Sequence, residues 1–156
     1  MIEKPHMEKV LSYIEAGKTE GAKLILGGNR VLAETGGYFV EPTIFDNVTN
    51  DMKIAREEIF GPVLATITFE DEAEAIALAN DTSYGLAASL YTDNVNVAHR
   101  VSRALRAGTV SVNCYSEGDI TTPFGGYKES GFGGRDNGVH AHEQYTEIKT
   151  IWMQLQ

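Results

Sequence analysis

The sequence predicts an α/β protein with a parallel sheet at its core, on three observations. Strand-like and helix-like apolar patterns alternate regularly from Pro62 to Val112. Two strand–helix–strand successions in a row require parallel pairing with right-handed crossovers, because a parallel strand is reached only by a long connection across one face of the sheet. The composition, 42% apolar and 22% charged over 156 residues, is that of a globular chain with room for about one domain.

Met7, Val10, Leu11 and Ile14 fall at i, i+3, i+4 and i+7, the stripe of an amphipathic helix, and Gly17 and Gly21 weaken helical propensity after it. Lys23 to Leu26 and Tyr38 to Phe45 read as short strands around glycine pairs, with Pro42 making the second an edge strand or interrupting it. Val63 to Phe69 is the next strand. Asp71 caps a helix with Glu74 three residues on, and Ala73, Ile76 and Ala77 form its inner face. Ala87 to Tyr91 is a strand, succeeded after Asp93 by a helix with Val97, Val101, Ala104 and Leu105 inward, ending near Gly108. Thr109 to Val112 is a further strand. Past Asn113 the chain is glycine-rich, a loop that a ligand or another chain approaches. A short helix over Asn137 to Gln144 comes next. Thr146 to Leu155 then reads as a strand apolar on both faces, which must pair with a sheet edge, in this subunit or another.

The net charge of −9 repels phosphate backbones and anionic lipid, so neither nucleic acid nor a membrane surface is an expected partner. A single cysteine makes neither an internal disulfide nor a thiolate-rich metal site and fits a reducing, cytoplasmic setting. The charged opening MIEKPHMEKV has no apolar stretch behind it and reads as neither a signal nor a transit peptide. No run approaches the ~20 apolar residues that span a bilayer.

Cys114 has no nearby His or Lys in sequence to lower its pKa, so the plainer reading is a small buried apolar group rather than a nucleophile. The four histidines form no metal-ligating pair on one helix face, and no metal site is expected; His140 and His142 read as surface residues. The glycine loop fails the phosphate-cradling templates. Gly126 to Gly131 has P-loop spacing, but Phe132 stands where lysine is needed, and Asp136 stands where a dinucleotide fingerprint needs its third glycine. In Glu57-Glu58-Ile59-Phe60-Gly61-Pro62 a carboxylate could accept hydrogen bonds from sugar hydroxyls while Phe60 packs on a flat heterocycle. Residue type alone favours a solvated turn.

Four segments carry a resemblance along the whole chain: Glu57-Glu58-Ile59-Phe60-Gly61-Pro62-Val63; Asn80 with Tyr84-Gly85-Leu86; Gly108-Thr109-Val110 with Asn113; and Pro123-Phe124-Gly125-Gly126-Tyr127-Lys128-Glu129-Ser130-Gly131. Their order and spacing resemble the C-terminal part of the aldehyde dehydrogenase catalytic domain. The resemblance implies an oxidoreductase converting an aldehyde to a carboxylic acid with NAD or NADP. It implies that Glu58 holds the nicotinamide ribose, that Phe60 contacts the nicotinamide side, and that Phe124 lines an aldehyde tunnel whose mouth includes Glu117 and Gly118. Glu117 and Asp119 suit a cationic or polar aldehyde. Gly118 to Phe124, with Lys149-Thr150-Ile151-Trp152, resembles the branch oxidising γ-glutamyl-γ-aminobutyraldehyde and related aminoaldehydes.

The same resemblance implies that residues 1–145 belong to the catalytic domain and residues 146–156 form an oligomerisation strand, making a homo-oligomer through Thr146 to Leu155. It also implies that the nucleophilic cysteine, the general-base glutamate and the Rossmann-type domain lie before this chain begins. No catalytic residue is then expected within it, Cys114 does not match the nucleophile motif, and the fragment alone is expected to be inactive, without tight cofactor binding. In some family members a monovalent cation lies near backbone carbonyls matching Lys128 and Gly131. The rival expectation is a non-catalytic assembly module pairing through its C-terminal strand.

Overall fold

Pro5, in the first turn where its missing N–H is harmless, opens helix α1 (Lys4–Thr19). The predicted stripe forms the inner face, with Met7, Val10, Tyr13, Ile14 and Gly17 buried; the helix runs past Gly17 and stops before Gly21. The structure, a computed structural model, describes residues 1–115 and 118–155. The chain divides into two compact units, Met1–Leu78 and Ala79–Gln156.

In the first unit, β1 (Lys23–Leu26), β4 (Thr43–Asp46) and β5 (Val63–Ala65) form a three-stranded sheet in the order β1-β4-β5. β1 runs antiparallel to β4, and β4 parallel to β5 with Thr43 opposite Val63 and Phe45 opposite Ala65. Two two-residue strands, β2 (Arg30–Val31) and β3 (Phe39–Val40), pair antiparallel beside it. Pro42 interrupts the Tyr38–Phe45 run as expected, and β4, immediately beyond it, is the central strand of its sheet. Phe45, Ile14 and Val10 are fully buried at the centre of the core.

A short helix, α2 (Lys53–Arg56), links the parallel strands β4 and β5, so a strand–helix–strand unit stands where none was predicted. β5 is shorter than the Val63–Phe69 expectation. Its partner ends at Asp46, Thr66 donates both its N–H and its hydroxyl to the Phe45 carbonyl at 3.0 and 2.8 Å, and Phe69 is exposed. Asp71 caps α3 (Glu72–Asn80) as predicted: the Glu74 N–H donates to its Oδ1 at 2.9 Å, and the Glu74 carboxylate accepts from the Glu70 N–H at 2.6 Å. The inner face assigned to α3 is not buried, Ala73 and Ala77 being exposed.

In the second unit β6 (Ala87–Leu90), α4 (Val95–Ala104) and β7 (Thr109–Val112) make the expected parallel unit, with Ala87 opposite Thr109 and Leu90 opposite Val112. Within its own unit β5 pairs with β4, and β6 pairs with β7 as the second predicted strand–helix–strand succession requires. Asn94 caps α4, its Oδ1 accepting from the N–H groups of Asn96 and Val97. At the other end Asn80 donates to the Ala104 carbonyl at 2.9 Å and accepts from the Arg106 N–H at 2.7 Å, closing the helix onto β7. The expected helix over Asn137–Gln144 is a 3-10 helix, Val139–Tyr145. Among the described residues of 146–155 no strand is assigned, and Ile148, Ile151, Trp152, Met153 and Leu155 are exposed.

Because Phe45 is fully buried and touches α1, Phe45→Ala should destabilise the chain by about 3–5 kcal/mol, read as a lowered urea midpoint.

Candidate functional site

The paired carboxylates after α2 have separate fates. Glu57 accepts from the Tyr13 hydroxyl at 2.7 Å and from the Lys53 ammonium at 2.7 and 2.8 Å. Lys53 also lies 5.3 Å from the centre of the Tyr13 ring, which shields one flank of the pair. The Lys53 hydrogen bond first, and the Tyr13 hydroxyl second, hold the Glu57 carboxyl below its usual range. Glu57 is thus engaged in joining α2 to α1. Glu58 is exposed and has no hydrogen bond or ion pair among the described residues, leaving both its oxygens to accept from a ligand.

The next three residues alternate sharply. Ile59 enters the core, Phe60 stands out with 69% of its surface exposed, and Gly61 lies against α1. A Cβ at Gly61 would stand 2.7 Å from a Val10 methyl, so only glycine lets the chain pass so close to the helix. Phe60 has φ of +57°, a left-handed conformation that costs an aromatic residue about 1–2 kcal/mol. Its carbonyl accepts from His6 Nε2 at 2.7 Å, and the two rings stand 6.4 Å apart between centres. A free carboxylate two residues from a protruding aromatic ring can bind a vicinal diol and cover the face of an attached planar ring.

The other predicted site residues lie in the second unit. Phe124 is half-buried and exchanges both backbone hydrogen bonds with Asp136 at 2.7 Å. Gly118 is exposed, with φ of +87°, at the start of a turn. Asp119 Oδ1 accepts there from the Thr121 hydroxyl at 2.6 Å and the Thr121 N–H at 2.7 Å, which hold the Asp119 carboxyl below its usual range. Glu117, with Ser116, lies outside the described residues.

The glycine loop after Phe124 meets backbone. A Cβ at Gly108 would stand 1.7 Å from the Gly125 carbonyl oxygen. The Tyr127 N–H donates to the Gly85 carbonyl at 2.8 Å, the Gly85 N–H to the Ser130 hydroxyl at 3.1 Å, and the Lys128 ammonium to the carbonyls of Asn80 and Thr82 at 2.7 and 2.8 Å. Arg106 and Arg135 both lie within cation–π range of the Tyr127 ring, at 4.8 and 5.2 Å.

Cys114 is exposed, against the expectation of a buried apolar group. β7 ends at Val112, and Asn113, at φ +56°, bonds Thr92 through both its amide atoms, so the chain leaves the sheet before the thiol. His140 and His142 are exposed as expected, His140 standing 3.6 Å from Glu143 on the 3-10 helix. Among the described residues no cluster of His, Cys, Asp and Glu could hold a metal, and no helix is long and apolar enough to cross a membrane.

Sequence reasoning missed His6 and Tyr13, the residues that order the Glu57–Phe60 turn. Their signal was present: with Val10 they share a four-then-three spacing on the buried face of α1.

The aldehyde dehydrogenase family model matches residues 1–151. The chain belongs to the aldehyde dehydrogenase family. It is 56% identical over 153 residues to an aminoacetaldehyde dehydrogenase of Pseudomonas aeruginosa, covering 98% of this chain and 30% of that protein. Among solved structures, a γ-glutamyl-γ-aminobutyraldehyde dehydrogenase from Burkholderia cenocepacia is 60% identical with a TM-score of 0.88, covering 94% of this chain and 29% of that one. An NAD+ complex of an aldehyde dehydrogenase from Bacillus cereus is 47% identical with a TM-score of 0.93, covering all of this chain and 31% of that one. The chain therefore spans about 30% of the length of the curated relatives it matches.

The lowered Glu57 value has a defined sign. The ion pair supports the fold fully above the ordinary carboxylate value of 4.5, and that support is lost as pH falls through the lowered value. The difference in unfolding midpoint between the wild type and Glu57→Gln should be largest at neutral pH and vanish on acid titration through that range.

Proposed function

We propose that this chain is the C-terminal part of the catalytic domain of an NAD(P)-dependent aldehyde dehydrogenase, over residues 1–145, with an oligomerisation strand over residues 146–156. The observation that carries the reading is the turn at Glu58 and Phe60. One carboxylate of the pair is consumed within the fold, the other is free, and a strained aromatic residue beside it is held facing outward. These residues fit the nicotinamide end of a dinucleotide: the Glu58 oxygens accept from the ribose hydroxyls, and Phe60 packs on the nicotinamide side. NAD(P)+ bound there supplies the hydride acceptor for aldehyde oxidation. Phe124 contributes an apolar wall that excludes water from the aldehyde, with Gly118 at the mouth of the passage.

An aminoaldehyde is the narrower substrate. Two observations support it: the names of the aminoacetaldehyde and γ-glutamyl-γ-aminobutyraldehyde relatives, and the Asp119 carboxyl, which its Thr121 bonds hold below its usual range and whose charge suits a cationic substrate. The reactive thiolate of the family chemistry is not assigned to Cys114, and the chain alone is proposed to be inactive. The free thiol is consistent with a reducing, cytoplasmic setting.

The second reading, an assembly module without catalysis of its own, is favoured by the tail, where Ile148 is 101% and Trp152 94% exposed. Such a segment pairs with a sheet edge of another copy.

In the complete enzyme Glu58→Gln should weaken NAD(P)+ binding by one charge-assisted hydrogen bond, about 1.5–3 kcal/mol, and slow hydride transfer. Unchanged affinity and turnover would remove Glu58 from the site. Truncation before Ile148 should reduce the assembly to a smaller species by light scattering, and an unchanged mass would count against pairing through the tail.

A further inference from the structure

We infer that His6 is a positioning residue for the cofactor site, acting through Phe60: its Nε2–H clamps the Phe60 carbonyl and so keeps the ring turned outward. The inference rests on the proposed role of Glu58 and Phe60 at the nicotinamide end.

A carbonyl only accepts, so the 2.7 Å contact fixes His6 Nε2 as the protonated nitrogen. Phe60 sits in a left-handed conformation with most of its side chain in solvent, so burial of its own ring contributes little to holding it there. Its neighbours are anchored, Ile59 in the core and Gly61 against Val10, but those anchors fix the ends of the turn and not the peptide plane between them. Rotation about the Phe60 N–Cα bond would relieve the positive φ, and it would carry the ring and the Phe60 carbonyl away together. The hydrogen bond that opposes this rotation comes from the first turn of α1, a helix tied to the core through Met7 and Val10. The His6 ring, 6.4 Å from that of Phe60 and tilted 54° to it, also limits the directions open to the aromatic side chain. The histidine therefore acts on the cofactor contact through Phe60, and a side chain with an N–H at the same reach should replace it.

The test is a double-mutant cycle on the complete enzyme, read as NAD+ affinity by titration calorimetry and as the KM for NAD+ against kcat. His6→Ala should weaken NAD+ binding about 3–10-fold, the worth of one neutral hydrogen bond, with the loss falling on KM. His6→Gln, which keeps a donor, should restore most of the affinity. In a Phe60→Ala background His6→Ala should have no further effect, because the ring it positions is gone. An equal loss in both backgrounds would show that His6 acts by another route and overturn the inference, as would wild-type affinity in His6→Ala. If neither Phe60→Ala nor Glu58→Gln alters NAD+ binding, the proposed function fails instead. An unfolding midpoint measured on each variant separates a positioning loss from a folding loss: the inference requires His6→Gln and His6→Ala to differ in affinity at matched stability.

Discussion

The close approach of Gly61 to Val10 is the contact on which the rest of the first unit depends. Val10 is fully buried on α1, and the strand entering the sheet as β5 must pass over it with no side chain in between. Gly61 meets that requirement, Pro62 comes next, and Val63 opens β5 opposite Thr43. With Ile59 drawn into the same core, the residue between two inward anchors is forced outward. Phe60 is exposed because of what its neighbours bury, and its left-handed backbone is the cost of that alternation.

Electrostatics divides the labour between the two adjacent glutamates. Glu57 lies one helical turn from Lys53 and within reach of the Tyr13 hydroxyl, so its charge is compensated by groups that also join α2 to α1. Its neighbour points elsewhere and keeps its acceptor capacity. Two like charges in succession are tolerated because one is neutralised locally, and the arrangement leaves a single carboxylate at a fixed position beside an aromatic ring. A reading by residue type alone, which treats Glu57 and Glu58 alike, favours a solvated turn; the Lys53 and Tyr13 contacts distinguish them.

The regular elements were legible where local signals agreed. The stripe Met7-Val10-Ile14, the cap Asp71 with Glu74, and the strand Thr109–Val112 all appear as expected, since each arises from spacing or a short-range hydrogen bond. What was not legible depended on partners distant in sequence. β5 ends early because β4 ends, which nothing within Val63–Phe69 announces, and the parallel link between β4 and β5 runs through a four-residue helix too short to carry a periodic pattern. Cys114 read as buried because the strand before it is apolar, while its exposure is decided by Asn113 bonding to Thr92. At the candidate site Glu58, Phe60 and Phe124 were named through motif resemblance, whereas His6 and Tyr13, which order the turn, have no signature beyond the face of α1 they share with Val10.

The glycines past Asn113 read in sequence as a loop that a ligand or another chain approaches. In the structure what approaches several of them is backbone. Gly108 leaves no room for a Cβ beneath the Gly125 carbonyl, and the Gly85 carbonyl accepts from both Gly108 and Tyr127, so the turn before β6, the end of α4 and the segment after Phe124 are stacked main chain on main chain. Lys128 completes the arrangement by placing its ammonium on the carbonyls of Asn80 and Thr82, at the end of α3 where the helix dipole favours a cation. Packing of this kind fixes position through many short backbone hydrogen bonds instead of a large apolar core. A half-buried side chain such as Phe124, seated on a segment held this way and paired to Asp136, has the position of its Cα and the direction of its Cα–Cβ bond set by the backbone, which leaves the ring only its staggered rotamers.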